Sequence, residues 1–153
     1  MTHPFPLQPL VHLSQQKNDA AIKKLGQLNR LKQSAQSKLD MLHQYRNDYQ
    51  AKFRLAESNG MELQELLNFK NFICRLDDAI EQQSMVVSQA QLTLEQGRNE
   101  LAETQRRMKS FDTLSQRHTM TEKKQEAKSE QLIQDEHNGR RSGIHKTVHS
   151  EEN

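Results

Sequence analysis

The sequence has few of the residues that fill a compact core or form tight turns. It contains no tryptophan, one cysteine and five glycines, and its three prolines all lie within the first nine residues. Only 33% of its residues are hydrophobic and 5% are aromatic. A chain of 153 residues with this composition cannot fill the interior of a globular domain. The composition instead favours long helices with little turn material.

Other absences exclude whole classes of protein. Cys74 is the only thiol, which rules out an intramolecular disulfide and suits a reducing cytoplasm. No run of 18 apolar residues is present, so we expect no transmembrane segment. The N-terminus, MTHPFPLQPL, lacks the basic and apolar regions of a signal peptide.

Motifs for catalysis are also missing. The glycines are dispersed, and the sequence has no phosphate-binding loop and no HExxH, CxxC or GxSxG pattern. His137, His145 and His149 lie in a segment without apolar periodicity, which favours a solvated tail over a metal site. We therefore expect no enzyme activity, no cofactor and no bound metal.

What the sequence does contain is a heptad repeat, with apolar residues at the first (a) and fourth (d) positions of each seven. This pattern predicts a coiled coil. The predicted core residues are Leu25, Leu28 and Leu39 in the first half of the chain, and Ile73, Ile80, Val87, Leu94, Leu101 and Met108 in the second.

The segment ESNG, residues 57–60, is the best helix-breaking signal in the chain. The sequence therefore predicts an all-α fold in which helices at about 10–57 and 61–134, with a turn at 58–60, form an antiparallel coiled-coil hairpin over 10–135. Residues 1–9 are predicted to be an extended segment, since Pro9 suits a first helical turn. Residues 136–153 are predicted to be a disordered tail.

The register of the hairpin is predicted from its g positions, which face each other in an antiparallel coiled coil. An apex near residues 57–59 pairs g residues whose numbers sum to 117. This alignment sets Lys17 opposite Glu100, Lys52 opposite Glu65, and Tyr45 opposite Phe72. Charge supports the pairing, because residues 10–56 carry nine basic and three acidic residues while residues 61–110 carry six basic and eight acidic.

A second apolar stripe lies beside the heptad core, on the d and g positions of both helices. It consists of Leu42, Tyr45 and Tyr49 in the first helix and of Phe72, Leu76, Ala79 and Gln83 in the second. A two-helix coiled coil leaves g positions half exposed, so the stripe indicates a binding surface. The alternative is that these residues thicken a core weakened by Lys32 and Arg46.

A third group of residues is basic and lies where the two helices meet far from the turn. Its members are Lys17, Lys23, Lys24, Arg106, Arg107 and Lys109. Nucleic-acid binding is one interpretation of this group. Interspersed acidic residues and the scarcity of aromatic side chains favour a protein partner instead, so we expect no nucleic acid.

Two stretches of this sequence, LDMLHQYRNDYQAKF and NFKNFICRLDDAIEQQ, resemble the FliJ family of flagellar type III export proteins. The resemblance covers most of residues 10–110 and is strongest at 39–83. It implies a hairpin similar to the central stalk of rotary ATPases. It also implies a location in the bacterial cytoplasm, peripherally at the inner membrane beneath the flagellum.

The resemblance further implies three partners: the hexameric export ATPase, the cytoplasmic domain of the export gate, and export chaperones. Gate-binding positions of the family fall on the stripe from Leu42 to Gln83, and the basic group is the candidate end for the ATPase ring. Two alternatives stay open, namely an injectisome stalk protein of the same fold and a structural coiled coil that dimerises through the Tyr45 and Phe72 flank.

Overall fold

The computed structural model describes residues 3–148, with side chains described as far as residue 143. Two helices account for nearly all of this part: α1 spans Gln8–Ser58 and α2 spans Leu63–Val148. Residues 3–148 contain no strand. The all-α fold class with two long, mutually packed helices is confirmed.

Helix α1 begins at Gln8, close to the position that Pro9 predicts. The amides of Leu10 and Val11 both donate to the carbonyl of Leu7, at 2.9 and 3.0 Å. Proline is tolerated here because amides of the first turn have no partner within the helix. The preceding residues 3–5 have no regular structure, and residues 6 and 7 form a turn.

The connection between the helices is residues 59–62, slightly later than the predicted turn at 58–60. The amide of Asn59 donates to the carbonyl of Leu55 at 3.2 Å, and that of Gly60 donates to Glu57 at 3.3 Å. Gly60 has a φ of 84°, a conformation that glycine adopts without a steric penalty. Glu65 then places a carboxylate in the first turn of α2, where the helix dipole favours negative charge.

The far end of α2 differs from the prediction of a disordered tail at 136–153. The helix continues past 134 to Val148, while residues 149–153 lie outside the described part of the chain. Every side chain from 127 to 143 is exposed. The missing apolar periodicity thus accompanies exposed side chains, but it does not end the helix. Glycine costs a helix only about 1 kcal/mol, and no proline follows Pro9.

The chain divides into two compact units, one of residues 17–105 and one of residues 1–16 with 106–153. The first unit is an antiparallel hairpin whose least exposed positions follow the heptads. Leu94 is fully buried, and Ala35 and Leu76 are buried. The predicted core residues Leu25, Leu28, Leu39, Ile73, Ile80, Val87 and Leu101 are all half-buried in this unit.

Gly97 is a buried d residue of α2 in the same unit. A Cβ at this position would lie 2.8 Å from Cδ1 of Leu28 and 3.5 Å from Cδ1 of Leu25. Glycine therefore leaves the space that the leucine side chains of α1 occupy. Close packing of this kind explains a glycine in the interior of a long helix.

The register of the hairpin differs from the prediction by one heptad. Nζ of Lys24 pairs with Oε2 of Glu100 at 3.0 Å, where the prediction set Lys17 opposite Glu100. Asn18 contacts Thr104 far from the turn, and Phe53 contacts Phe69 near it. In both pairs the residue numbers sum to 122, so the alignment is the same along the seam. The predicted contact of Tyr45 with Phe72 is present, with ring centroids 6.4 Å apart. The predicted pairing of Lys17 with Glu100 was wrong because the alignment put the apex at 57–59, whereas the connection is residues 59–62.

The second unit joins the start of α1 to the later part of α2. The rings of Phe5 and His118 have centroids 5.4 Å apart, and Nε2 of His118 lies 3.9 Å from Oε1 of Glu122. The amide of His3 donates to Oε2 of Glu122 at 3.4 Å. The predicted core residue Met108 is half-buried.

Candidate protein-binding surface

Five aromatic rings form a ladder across the two helices near the turn. They alternate between helices in the order Tyr45, Phe72, Tyr49, Phe69 and Phe53, with successive ring centroids 6.4, 4.3, 5.0 and 5.6 Å apart. All four contacts are tilted, with interplanar angles of 42–55°. Such tilted pairs add to the stability that burial alone gives. The chain has seven aromatic residues from Phe and Tyr, so most of them are in this ladder.

The ladder changes from core to surface along its length. Phe53 and Phe69 are half-buried a and d residues of the seam. Tyr49 and Phe72 are also half-buried, while Tyr45 at the far end is 55% exposed. The most solvent-exposed ring therefore rests on a continuous stack of rings that anchors it in the seam.

Of the predicted stripe, the structure brings Tyr45, Tyr49 and Phe72 into direct ring contact. Leu42 and Ala79 are half-buried. Leu76 is only 8% exposed, so it belongs to the core and leaves little surface for a partner. This corrects the interpretation of Leu76 as a partner-facing residue, because a d side chain points into the seam.

Gln83 also lies in the seam. It is half-buried, and its Nε2 donates to the backbone carbonyl of Ala35 at 2.9 Å. This hydrogen bond accounts for a polar residue at a d position, since a buried amide needs a partner. Gln83 thus contributes to the hairpin, and the partner-facing part of the stripe narrows to Tyr45, Phe72 and their neighbours.

The sequence analysis assigned Phe53 and Phe69 only to the heptad core and missed their place in the ladder. Their spacing carries a signal for it. Phe53 follows Tyr49 by four residues and Phe69 precedes Phe72 by three, which places each pair on one helix face.

The opposite flank of the hairpin, formed by e and b positions, is polar at the same level. The guanidinium of Arg46, at an a position, reaches outward to Asp77 at an e position and donates a hydrogen bond to its Oδ1. Nη1 of Arg46 also donates to Oε1 of Gln50 at 3.1 Å. The hydrogen bond and the charge of Asp77 raise the pKa of Arg46 above its usual value. Arg46 therefore leaves the seam on the side away from Tyr45.

Exposed apolar side chains of α1 also favour one flank. Between residues 17 and 58 the large exposed hydrophobic residues are Ile22, Leu31, Met41, Tyr45 and Leu55. All except Ile22 lie at c or g positions, on the flank that carries Tyr45. We call this side of the 17–105 unit the c/g flank. Its exposed apolar side chains make it the candidate interaction face of α1.

The predicted basic group divides between the two units. Lys17, Lys23 and Lys24 are exposed residues of the first unit, and Lys24 is already paired with Glu100. Arg106, Arg107 and Lys109 are exposed residues of the second unit. Each set presents positive charge to solvent within its own unit.

Residues 3–148 contain neither a membrane-spanning helix nor a cluster of metal ligands. Neither helix has a stretch long and apolar enough to cross a membrane. No three histidine, cysteine or acidic residues in that range come together as metal ligands would.

Comparison with known proteins agrees with the arrangement of the hairpin. The profile of the family described as "Flagellar FliJ protein" matches residues 3–146, nearly the whole chain. The chain belongs to the flagellar FliJ protein family. The resemblance found at 39–83 is thereby confirmed and extended beyond residues 10–110.

Two curated members of this FliJ family are similar to the chain over most of their length. The flagellar FliJ protein of Salmonella typhi is 28% identical over 130 residues, which cover 85% of this chain and 88% of that one. The flagellar FliJ protein of Escherichia coli K12 is 28% identical over 111 residues, with 72% and 76% covered. The likeness thus spans both helices of the fold.

Among solved structures, a YscO homologue from Chlamydia trachomatis superposes with a TM-score of 0.72. The match covers 95% of this chain and 98% of the other, at 21% sequence identity. At this identity the likeness concerns the fold. Two long helices in this arrangement therefore occur in a protein whose sequence has diverged widely.

Proposed function

We propose that this FliJ family member is a non-enzymatic component of the flagellar type III export apparatus that couples the export ATPase ring to the export gate. In this proposal the cytoplasmic domain of the gate binds the c/g flank around Tyr45 and Phe72. Basic residues of either unit, such as Lys17, Lys23, Arg106 and Lys109, contact the ATPase ring. Export chaperones are further partners. The protein works in the cytoplasm, at the inner membrane beneath the flagellum.

The aromatic ladder is the observation that supports this proposal most. A tyrosine that is 55% exposed and stacked on half-buried rings offers a large, rigid apolar area with a hydroxyl at its edge. Such residues dominate the energy of protein interfaces because little conformational entropy is lost when they are covered.

A stalk-like role suits the packing of the hairpin. Its two helices stay in contact along one seam, from the pair Asn18 and Thr104 to the pair Phe53 and Phe69. Surfaces at different positions along the hairpin are therefore held at fixed separations. At 1.5 Å per residue, Tyr45 lies about 20 Å along α1 from Ser58, the last residue of that helix. A partner near the turn and another far from it can therefore bind at once without competing.

The test is binding of the purified full-length chain to the cytoplasmic domain of the export gate, measured by isothermal titration calorimetry. We expect Tyr45→Ala to weaken binding at least tenfold, about 1.4 kcal/mol, because it removes the exposed end of the ladder. Leu92→Ala is the matched control, since Leu92 is equally 55% exposed but occupies an f position off the c/g flank.

Circular dichroism and light scattering distinguish the outcomes. Unchanged helicity and mass with lost gate binding support the proposal. Equal gate binding by wild type and Tyr45→Ala would refute it. A wild-type dimer that Tyr45→Ala converts to a monomer would assign the flank to dimerisation of a structural coiled coil.

A further inference from the structure

An open groove of about 600 Å³ lies on the c/g flank, farther from the turn than the aromatic ladder. Leu31 of α1 and Val86 of α2 line it and are 63% and 51% exposed. Ala35 and Ala90 also line it and are d residues of the seam, so they form its floor. None of these four residues belongs to the aromatic ladder or to the predicted stripe.

The shape of the groove suits a helix. Its floor and wall carry the small side chains of Ser34, Ala35 and Ala90, which let another backbone approach closely. Helices pack with axes 8–10 Å apart, at the lower end when small residues lie at the contact. Two parallel ridges with small residues between them accept an amphipathic helix through apolar side chains spaced i, i+3, i+4 and i+7.

The charge at the groove is positive. Lys38 lines it, and within residues 3–148 this lysine forms no ion pair. Lys24 lies seven residues before Leu31, and its charge is already paired with that of Glu100. On α2 the c and g positions from Asn68 to Gln96 include no acidic residue. An occupant must therefore bring its own carboxylate to pair with Lys38.

A second copy of the chain meets this requirement poorly. Among the c and g positions of residues 24–55 and 68–96, Lys24, Lys38, Lys52 and Arg75 are basic and Asp48 alone is acidic. If two c/g flanks packed together, mostly like charges would face each other, which is unfavourable when charged groups lose water. The groove is complementary to a different, acidic surface.

We propose that this groove binds an acidic amphipathic helix of a partner protein. Branched apolar side chains of that helix lie over Ala35 and Ala90 between Leu31 and Val86, and a carboxylate pairs with Lys38. The proposal is independent of gate binding at Tyr45, because neither Tyr45 nor Phe72 lines the groove.

The probe is a fluorescein-labelled designed helix of about 18 residues, roughly 27 Å long, with leucines at i, i+3, i+4 and i+7 and glutamates beside them. A second peptide has the same leucines and lysines in place of the glutamates. Fluorescence anisotropy with the full-length chain measures both. We expect the glutamate peptide to bind at least tenfold more tightly than the lysine peptide.

Three variants locate the binding. Val86→Glu should weaken binding of the glutamate peptide at least tenfold, because it puts a second negative charge on the groove wall, next to the glutamates of the peptide. Lys38→Glu should reverse the preference between the two peptides. Leu92→Glu is the matched control, since it changes an equally exposed apolar residue off the groove, and it should leave binding unchanged. Circular dichroism checks that each variant retains its helicity.

Other outcomes would overturn the proposal. Equal affinity for the two peptides, or an equal loss with Leu92→Glu, would mean that the peptide binds nonspecifically. Loss of the peptide with Tyr45→Ala would place it on the aromatic ladder. If light scattering shows that the wild type is a dimer and that Val86→Glu is a monomer, a second copy of the chain occupies the groove.

Discussion

The two flanks of the hairpin differ most near the turn. On the c/g flank Tyr45 ends a ladder of rings and no ion pair is formed at its level, whereas on the opposite flank Arg46 reaches out to Asp77. Tyr45 and Arg46 are adjacent in the chain, so their side chains point about 100° apart around α1. That rotation separates the apolar c/g flank from the flank that carries the ion pair. One helix can thus direct a partner to a single side without any change in its backbone.

A two-helix protein can carry exposed aromatic residues when its stability comes from another part of the structure. The seam supplies stability through Leu94 and its neighbours, so the c/g flank can be devoted to binding.

The largest effect is expected at Leu76. Leu76→Ala should lower the free energy of unfolding by about 2–5 kcal/mol, because it opens a cavity in the seam beneath the ladder. Urea denaturation followed by circular dichroism measures this loss. Leu67→Ala is the control, since Leu67 is an exposed residue of the same helix, and it should cost far less. If both variants lower the free energy of unfolding by the same small amount, Leu76 is a partner-facing residue and not a core residue.

A smaller effect is expected within the ladder itself. Tyr49→Ala should cost about 2 kcal/mol, because the ring of Tyr49 contacts both Phe69 and Phe72. Tyr45→Ala should cost less than about 1 kcal/mol, since the ring is 55% exposed and stacks on Phe72 at the outer end of the ladder. The same denaturation experiment compares them. If Tyr45→Ala is as destabilising as Tyr49→Ala, Tyr45 is a core residue and the flank has no free aromatic surface.

The smallest effect is expected for the ion pair that marks the register. A double-mutant cycle with Lys24→Ala and Glu100→Ala should give a coupling of about 0.2–1 kcal/mol that declines as salt is added. The cycle with Lys17→Ala and Glu100→Ala should give none. Coupling in the second cycle but not in the first would restore the register in which Lys17 faces Glu100.

Much of the fold could be predicted from the heptads. Ile73, Ile80, Val87, Leu94 and Leu101 identify the seam of α2 because a seven-residue period leaves one stripe available for burial. The helix beyond residue 134 was harder to predict, since an exposed helix has no apolar period and the two glycines only weaken it. Of the predicted stripe, Tyr45, Tyr49 and Phe72 are in ring contact, whereas Leu76 and Gln83 lie in the seam.

The sequence by itself determined the two long helices, the positions of the seam and the flank that carries apolar residues. These follow from local periodicity and from the position of Gly60, which depend on no distant contact. The tertiary structure alone decided the register, the burial of Leu76 and Gln83, and the extension of the ladder to Phe53 and Phe69. The physical reason is that the position of the turn sets which residues face each other across the seam, while the pattern within each helix stays the same wherever the turn lies.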